Sequence, residues 1–84
     1  MTEAEIISRL TELMRKAFDD DSVAAVRRLR PLDIDAWDSV NHLKLMIETE
    51  RAFDVSFAAA EIGRLKNVGE LIDLIRSKLL RKAA

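Results

Sequence analysis

The sequence predicts an all-α fold: a four-helix bundle with a long first connection and a short third helix. Three observations carry this. Apolar residues recur at helical spacing in three long segments, each preceded by a residue suited to a helix N-terminus. The 84 residues include only two glycines and one proline, so long stretches run without a helix breaker. Strand signals are few, and 49% apolar with 35% charged residues describes a folded helical chain rather than a disordered one.

The first helix begins at Thr2, where Thr2 and Glu5 have the spacing of a capping box. Ile6, Leu10, Leu13, Met14 and Phe18 then recur at helical intervals up to the run Asp19-Asp20-Asp21. From Asp19 to Asp38 the pattern loosens into a long, partly ordered connection. Pro31 disfavours helix at Arg30, and Val23, Val26 and Leu29 are expected to form a short turn packed under the loop. Asp38 caps a second helix from about Ser39 to Phe53, which contains neither glycine nor proline and ends near Asp54. Ser56 is placed as the cap of a short helix through Glu61 and Ile62, with Gly63 ending it or bending the chain toward Leu65. Asn67 and Glu70 form another capping pair, and Val68, Leu71, Ile72, Ile75 and Leu79 line a last amphipathic helix with a basic end, Lys78 to Lys82.

Length and composition exclude several kinds of function. A chain this short buries too little surface for both a deep catalytic cleft and a stable core, so it is read as one domain, 1–84, and not as an enzyme. With no cysteine there is no disulfide framework, thiolate metal site or cysteine nucleophile. Fourteen basic against fifteen acidic residues leave a formal charge of -1, which favours neither nucleic acid nor a cationic partner. Glu3, Glu5 and Arg9 interrupt any leader-like opening, and no apolar run approaches the length of a membrane span. The expectation is a cytoplasmic monomer without a membrane span.

The triplet Asp38-Ser39-Val40 is the most informative local feature. It sets one hydroxyl at the positive end of the second helix, where an attached phosphate would face unpaired N–H groups and the helix dipole. Ser39 therefore reads as an attachment point. The helix that follows has two apolar stripes when its residues are placed about 100° apart. Leu45, Met46 and Phe53, with His42 and Thr49 between them, share the first; Val40, Leu43 and Ile47 share the second. The second stripe is either sandwiched among neighbouring helices or exposed as a docking surface flanked by Lys44, Glu48 and Arg51.

The segment WDSVNHLKLMIETERAF resembles the recognition-helix segment of acyl carrier proteins and related carrier domains. The resemblance extends over essentially the whole chain, through Phe53, Val55, Phe57, the short third helix and Asn67-Val68-Gly69. It implies a four-helix bundle of acyl-carrier-protein type. It also implies that Ser39, beside the motif neighbour Asp38, carries covalent 4′-phosphopantetheine derived from coenzyme A. A phosphopantetheinyl transferase would install that arm, its thiol would hold acyl intermediates as thioesters, and acyl-loading and acyl-transferring enzymes of fatty acid, polyketide or another specialised pathway would work on them. Partner contacts would fall on Val40, Leu43, Lys44, Ile47, Glu48 and Arg51. Two departures from the family pattern point to a specialised member: Trp37 stands where a glycine commonly precedes the Asp-Ser pair, and the recognition helix has mixed rather than strongly acidic charge.

Trp37 is assigned to closing the core edge rather than to shielding the arm's phosphate. His42 is assigned a partly buried structural role rather than that of a base, and no second histidine or cysteine is present to build a zinc site. Arg27-Arg28-Leu29-Arg30 is read as a solvated or partner-facing loop, because acidic runs flank it. Ala58, Ala59 and Ala60 are read as helix propensity and close packing; the family resemblance implies that cargo can enter between the second and third helices, where small side chains would widen the entrance. An aminoacyl, peptidyl or D-alanyl carrier is the alternative within the family. An unmodified interaction module or a small DNA-binding domain is the alternative outside it.

Overall fold

The computed structural model describes residues 1–83, which form four α-helices and no strand among the described residues. These are α1 (Glu3–Phe18), α2 (Ser39–Phe53), α3 (Ala59–Arg64) and α4 (Val68–Ala83). The all-α fold, the long first connection and the short third helix are all present.

The capping box of α1 forms as its spacing predicts: Thr2 Oγ1 accepts the Glu5 N–H at 3.2 Å, and the Glu5 carboxylate accepts the Thr2 N–H at 3.2 Å. The apolar face of α1 buries Ile6, Leu10, Met14, Ala17 and Phe18. Opposite it lie Leu45, Met46 and Phe53 of α2 and Val68, Leu71, Ile72 and Ile75 of α4. Burying each of the larger of these side chains contributes about 1.5–3 kcal/mol before conformational entropy is charged against it. The short α3 contributes no buried residue at all.

The expected turn of Val23, Val26 and Leu29 forms in part: the Val26 carbonyl accepts the Leu29 N–H at 3.1 Å and Val23 and Leu29 pack on the core, but Val26 itself is exposed. Val23 and Ala25 are buried while Ala24 and Val26 are exposed. The Val26 N–H turns back to the Ala24 carbonyl at 2.9 Å, and burial alternates along the segment so that Ala25, not Val26, faces inward. Side chains of α1 hold it there: Thr11 Oγ1 accepts the Ala25 N–H at 3.0 Å, and Arg15 Nε donates to the Val23 carbonyl at 2.8 Å. Further on, the carbonyls of Leu29 and Arg27 accept the N–H groups of Val68 and Gly69 at 2.9 and 2.8 Å, stitching the loop to the first turn of α4. A 3-10 turn follows at Pro31–Asp33, where the Asp33 carboxylate accepts the Arg30 N–H at 2.9 Å.

The basic run is only partly a solvated loop. Arg27 bridges Glu3 of α1 at 3.0 Å and Asp73 of α4 at 2.9 Å, and Arg30 pairs with Asp33 at 3.2 Å.

The start of α3 corrects the sequence reading. Ala58, not Ser56, is the N-cap residue, and the Glu61 carboxylate receives its N–H at 2.8 Å. Glu50 of α2 takes the Phe57 N–H at 2.8 Å, which draws Phe57 into the core before the helix can begin. Gly63 lies inside α3, which ends one residue later at Arg64. Ala58, Ala59 and Ala60 are exposed, so the alanine run reflects helix propensity without close packing.

Candidate functional site

The N-terminus of α2 is built by two residues that follow the loop. Asp38 is extended; its carboxylate accepts the Asn41 N–H at 2.8 Å and its carbonyl accepts the His42 N–H at 2.8 Å. The Asn41 side chain in turn donates to the Ala36 carbonyl at 2.7 Å, so the turn before the helix is fixed from both sides. Ser39 is the first helical residue and is exposed. The N–H groups of Ser39 and Val40 have no acceptor among the described residues. They are therefore open to an anion at the positive end of the helix.

The two stripes of α2 part company in the fold. Leu45, Met46, Thr49 and Phe53 are buried, whereas Val40, Leu43 and Ile47 are 73%, 53% and 42% exposed. The sandwiched alternative is thereby excluded. Lys44 and Arg51 flank the exposed strip, with Arg51 reaching Glu48 at 3.4 Å. A small groove of about 130 Å³ also brings Lys44 and Glu48 against Leu13, Lys16 and Ala17 of α1. Buried Thr49 keeps its hydroxyl satisfied by donating to the Leu45 carbonyl at 2.7 Å.

On the other side of Ser39 lies an open cavity of about 220 Å³. Asp38, Ser39 and His42 form one side of it, Ile62, Gly63 and Leu65 another, and Pro31 and Trp37 complete the rim. Trp37 is 6% exposed and packs at the core edge against Phe18, the rings tilted by 35° with centroids 5.4 Å apart. Its Nε1–H donates to His42 Nδ1 at 2.9 Å, and His42 Nε2 lies 3.0 Å from the Ile62 carbonyl. His42 is thus half-buried with both ring nitrogens engaged, as its place on the core stripe predicts, and neither nitrogen is left to deprotonate Ser39. The Trp37–His42 bond and the wall made by Ile62 and Leu65 were not read from the sequence. A carbonyl 20 positions away leaves no local signature.

Among the described residues no cluster of histidine, cysteine or carboxylate side chains could hold a metal ion, and no helix is long and apolar enough to cross a membrane.

No family model matches the chain. It is similar to the acyl carrier protein of Lactobacillus johnsonii, with 28% identity over 78 residues that cover 92% of this chain and 96% of that protein. It is also similar to the solution NMR structure of the holo acyl carrier protein from Geobacter metallireducens, with 44% identity, a TM-score of 0.85, and coverage of 92% of this chain and 88% of that one. The chain belongs to the acyl carrier protein family. An acyl carrier protein is a carrier and not an enzyme: it interacts with the enzymes of acyl metabolism, and the chemistry is theirs. A carrier needs an exposed handle and a surface to be gripped by, and no catalytic base beside its serine.

Proposed function

We propose that residues 1–84 form one discrete carrier domain that bears 4′-phosphopantetheine on Ser39 and presents acyl cargo to biosynthetic enzymes. The observation that carries this reading is the exposed Ser39 at the first position of α2, beside two N–H groups without acceptors. The residues present fit the group. Ser39 Oγ is open to a transferase, a phosphodiester on it would lie at the positive helix end, and Ile62 and Leu65 offer an apolar wall next to it. When bound, the group supplies a thiol that holds the acyl cargo as a thioester.

The chain's own part is to position and to be recognised. Asp38 fixes the first turn of α2 and so the direction in which Ser39 points. Val40, Leu43 and Ile47 form a strip for partner enzymes, the phosphopantetheinyl transferase among them, with Lys44, Glu48 and Arg51 setting the charge register. Because those charges are mixed, the reading is of a specialised carrier whose partners present both signs. The same reading is of a cytoplasmic monomer, and a core closed by the chain's own helices supports the monomer.

Intact mass after incubation with coenzyme A and a broad-specificity phosphopantetheinyl transferase tests this. One phosphopantetheine is expected on the wild-type chain and none on Ser39→Ala. A folded wild type left unmodified by several transferases, or an equally modified variant, overturns the assignment.

A further inference from the structure

The cavity beside Ser39 stops short of the core. Asp38, Ser39 and Gly63 are exposed and open it to solvent, whereas His42 and Ile62 are half-buried and stand on its inner side. Beyond them on the core stripe of α2 come Leu45 and Met46, neither with any exposed surface. The direct way from Ser39 to these side chains runs between α2 and α3, and a hydrogen-bonded bridge crosses it. Trp37 Nε1–H donates to His42 Nδ1 at 2.9 Å, and His42 Nε2 lies 3.0 Å from the Ile62 carbonyl.

Each bond of the bridge satisfies a group that has no other partner among the described residues. An indole N–H can only donate, so Nδ1 is the acceptor and the ring proton sits on Nε2, from which it is donated to the Ile62 carbonyl. Ile62 lies in the last turn of α3, where carbonyls run out of helical N–H groups. Four residues on, the Lys66 N–H goes instead to the Glu70 carboxylate at 2.8 Å. The wall that bears this carbonyl is fixed: Ile62 and Leu65 pack against the core, and Glu61 is paired with Lys78 at 2.8 Å. An apolar chain that pushed the ring aside would strand both the nearly buried indole N–H and the Ile62 carbonyl. Its methylene groups could replace neither bond.

We propose that His42 is a specificity-determining residue whose bridge bars an acyl chain held at Ser39 from the core, so that the carrier presents short or polar acyl groups at its surface. The cargo stays in the open cavity of about 220 Å³, where partner enzymes reach it without prising helices apart. This inference rests on Ser39 carrying the cargo, while the barrier itself is a property of the unmodified chain.

The chain has no cysteine, so Ser39→Cys puts a single thiol at the mouth of the cavity, and butyl, octyl or dodecyl groups can be attached to it as disulfides without any phosphopantetheine. NMR of these full-length chains is expected to show no nuclear Overhauser contact between the alkyl group and Leu45 or Met46, and thermal midpoints are expected not to rise from butyl to dodecyl. With His42→Leu added, which removes both bonds and keeps an apolar stripe, the dodecyl protons are expected to contact Met46 and the midpoint to rise by roughly 5 °C from butyl to dodecyl. His42→Gln, which supplies an acceptor and a donor, is expected to restore exclusion. Acyl groups of the same lengths on the phosphopantetheine of the wild-type chain are expected to follow the first pattern. Failure to load that arm counts against the Ser39 reading and leaves the alkyl result standing. Core contacts in the chain that keeps His42, or exclusion by His42→Leu as complete as that by histidine, overturn the proposal.

Discussion

Asp38 has two effects that pull in different directions. Its carboxylate satisfies an N–H of the first turn of α2, yet it places a negative charge beside the hydroxyl proposed to carry an anion. Capping and charge can be separated by substitution. Asp38→Ala is expected to lower stability by about 1 kcal/mol in urea denaturation, while Asp38→Asn retains the cap and most of that stability. Caps of this kind were legible in the sequence because they act over three residues: Thr2 with Glu5, Asp38 with Asn41, and Asn67 with Glu70 all form as the spacing predicts. Ser56 was misread because Glu50, on the preceding helix, takes the neighbouring N–H and moves the start of α3 to Ala58. Competition from another element has no trace in local spacing.

At the level of elements, the two glycines make a controlled comparison. Both lie in helices, and neither has a positive φ. A Cβ on Gly63 would meet no atom within 4 Å, so Gly63→Ala is expected to stabilise the protein by roughly 0.5–1 kcal/mol through helix propensity. A Cβ on Gly69 would stand 3.1 Å from the Arg27 carbonyl oxygen, in the stitch between the first connection and α4. Gly69→Ala is expected to destabilise by about 1–3 kcal/mol despite the same gain in propensity. Denaturant titrations of the two variants beside wild type check the opposite signs. The helices themselves were legible from periodicity, and so was the double stripe of α2. Whether the second stripe is sandwiched or meets solvent was not, because that depends on where the neighbouring helices pack: α2 buries Leu45, Met46, Thr49 and Phe53 and leaves Val40, Leu43 and Ile47 outside. The connection after α1 was the least legible, since the Thr11 hydroxyl accepts the Ala25 N–H and Arg15 donates to the Val23 carbonyl, which turns Ala25 inward in a way that local spacing does not announce.

Across the whole molecule, ion pairs link one element to another, most of them exposed and the Lys78–Glu61 pair partly buried. Glu3 meets both Arg27 and Arg76, Lys78 meets Glu61, and Lys82 meets Asp54. A hydrogen bond from Lys78 holds the Glu61 carboxyl below its ordinary range, and one from Lys82 does the same for Asp54. A carboxyl depressed in the folded state binds fewer protons there than in the unfolded chain. Its contribution is therefore present above the unfolded pKa and disappears as pH falls through the folded one. The stability difference between wild type and Lys78→Met is expected to be constant above about pH 5 and to shrink below about pH 4, as urea midpoints across that range will report. The fold also distributes its tolerance to change unevenly. Because α3 buries no side chain, most substitutions on it should cost less than about 0.5 kcal/mol, whereas those in α1 or α4 fall on the shared core. The space next to the proposed attachment point is thus walled in part by the element that tolerates the most change, and a side chain added at Gly63 can reshape that space without displacing the shared core.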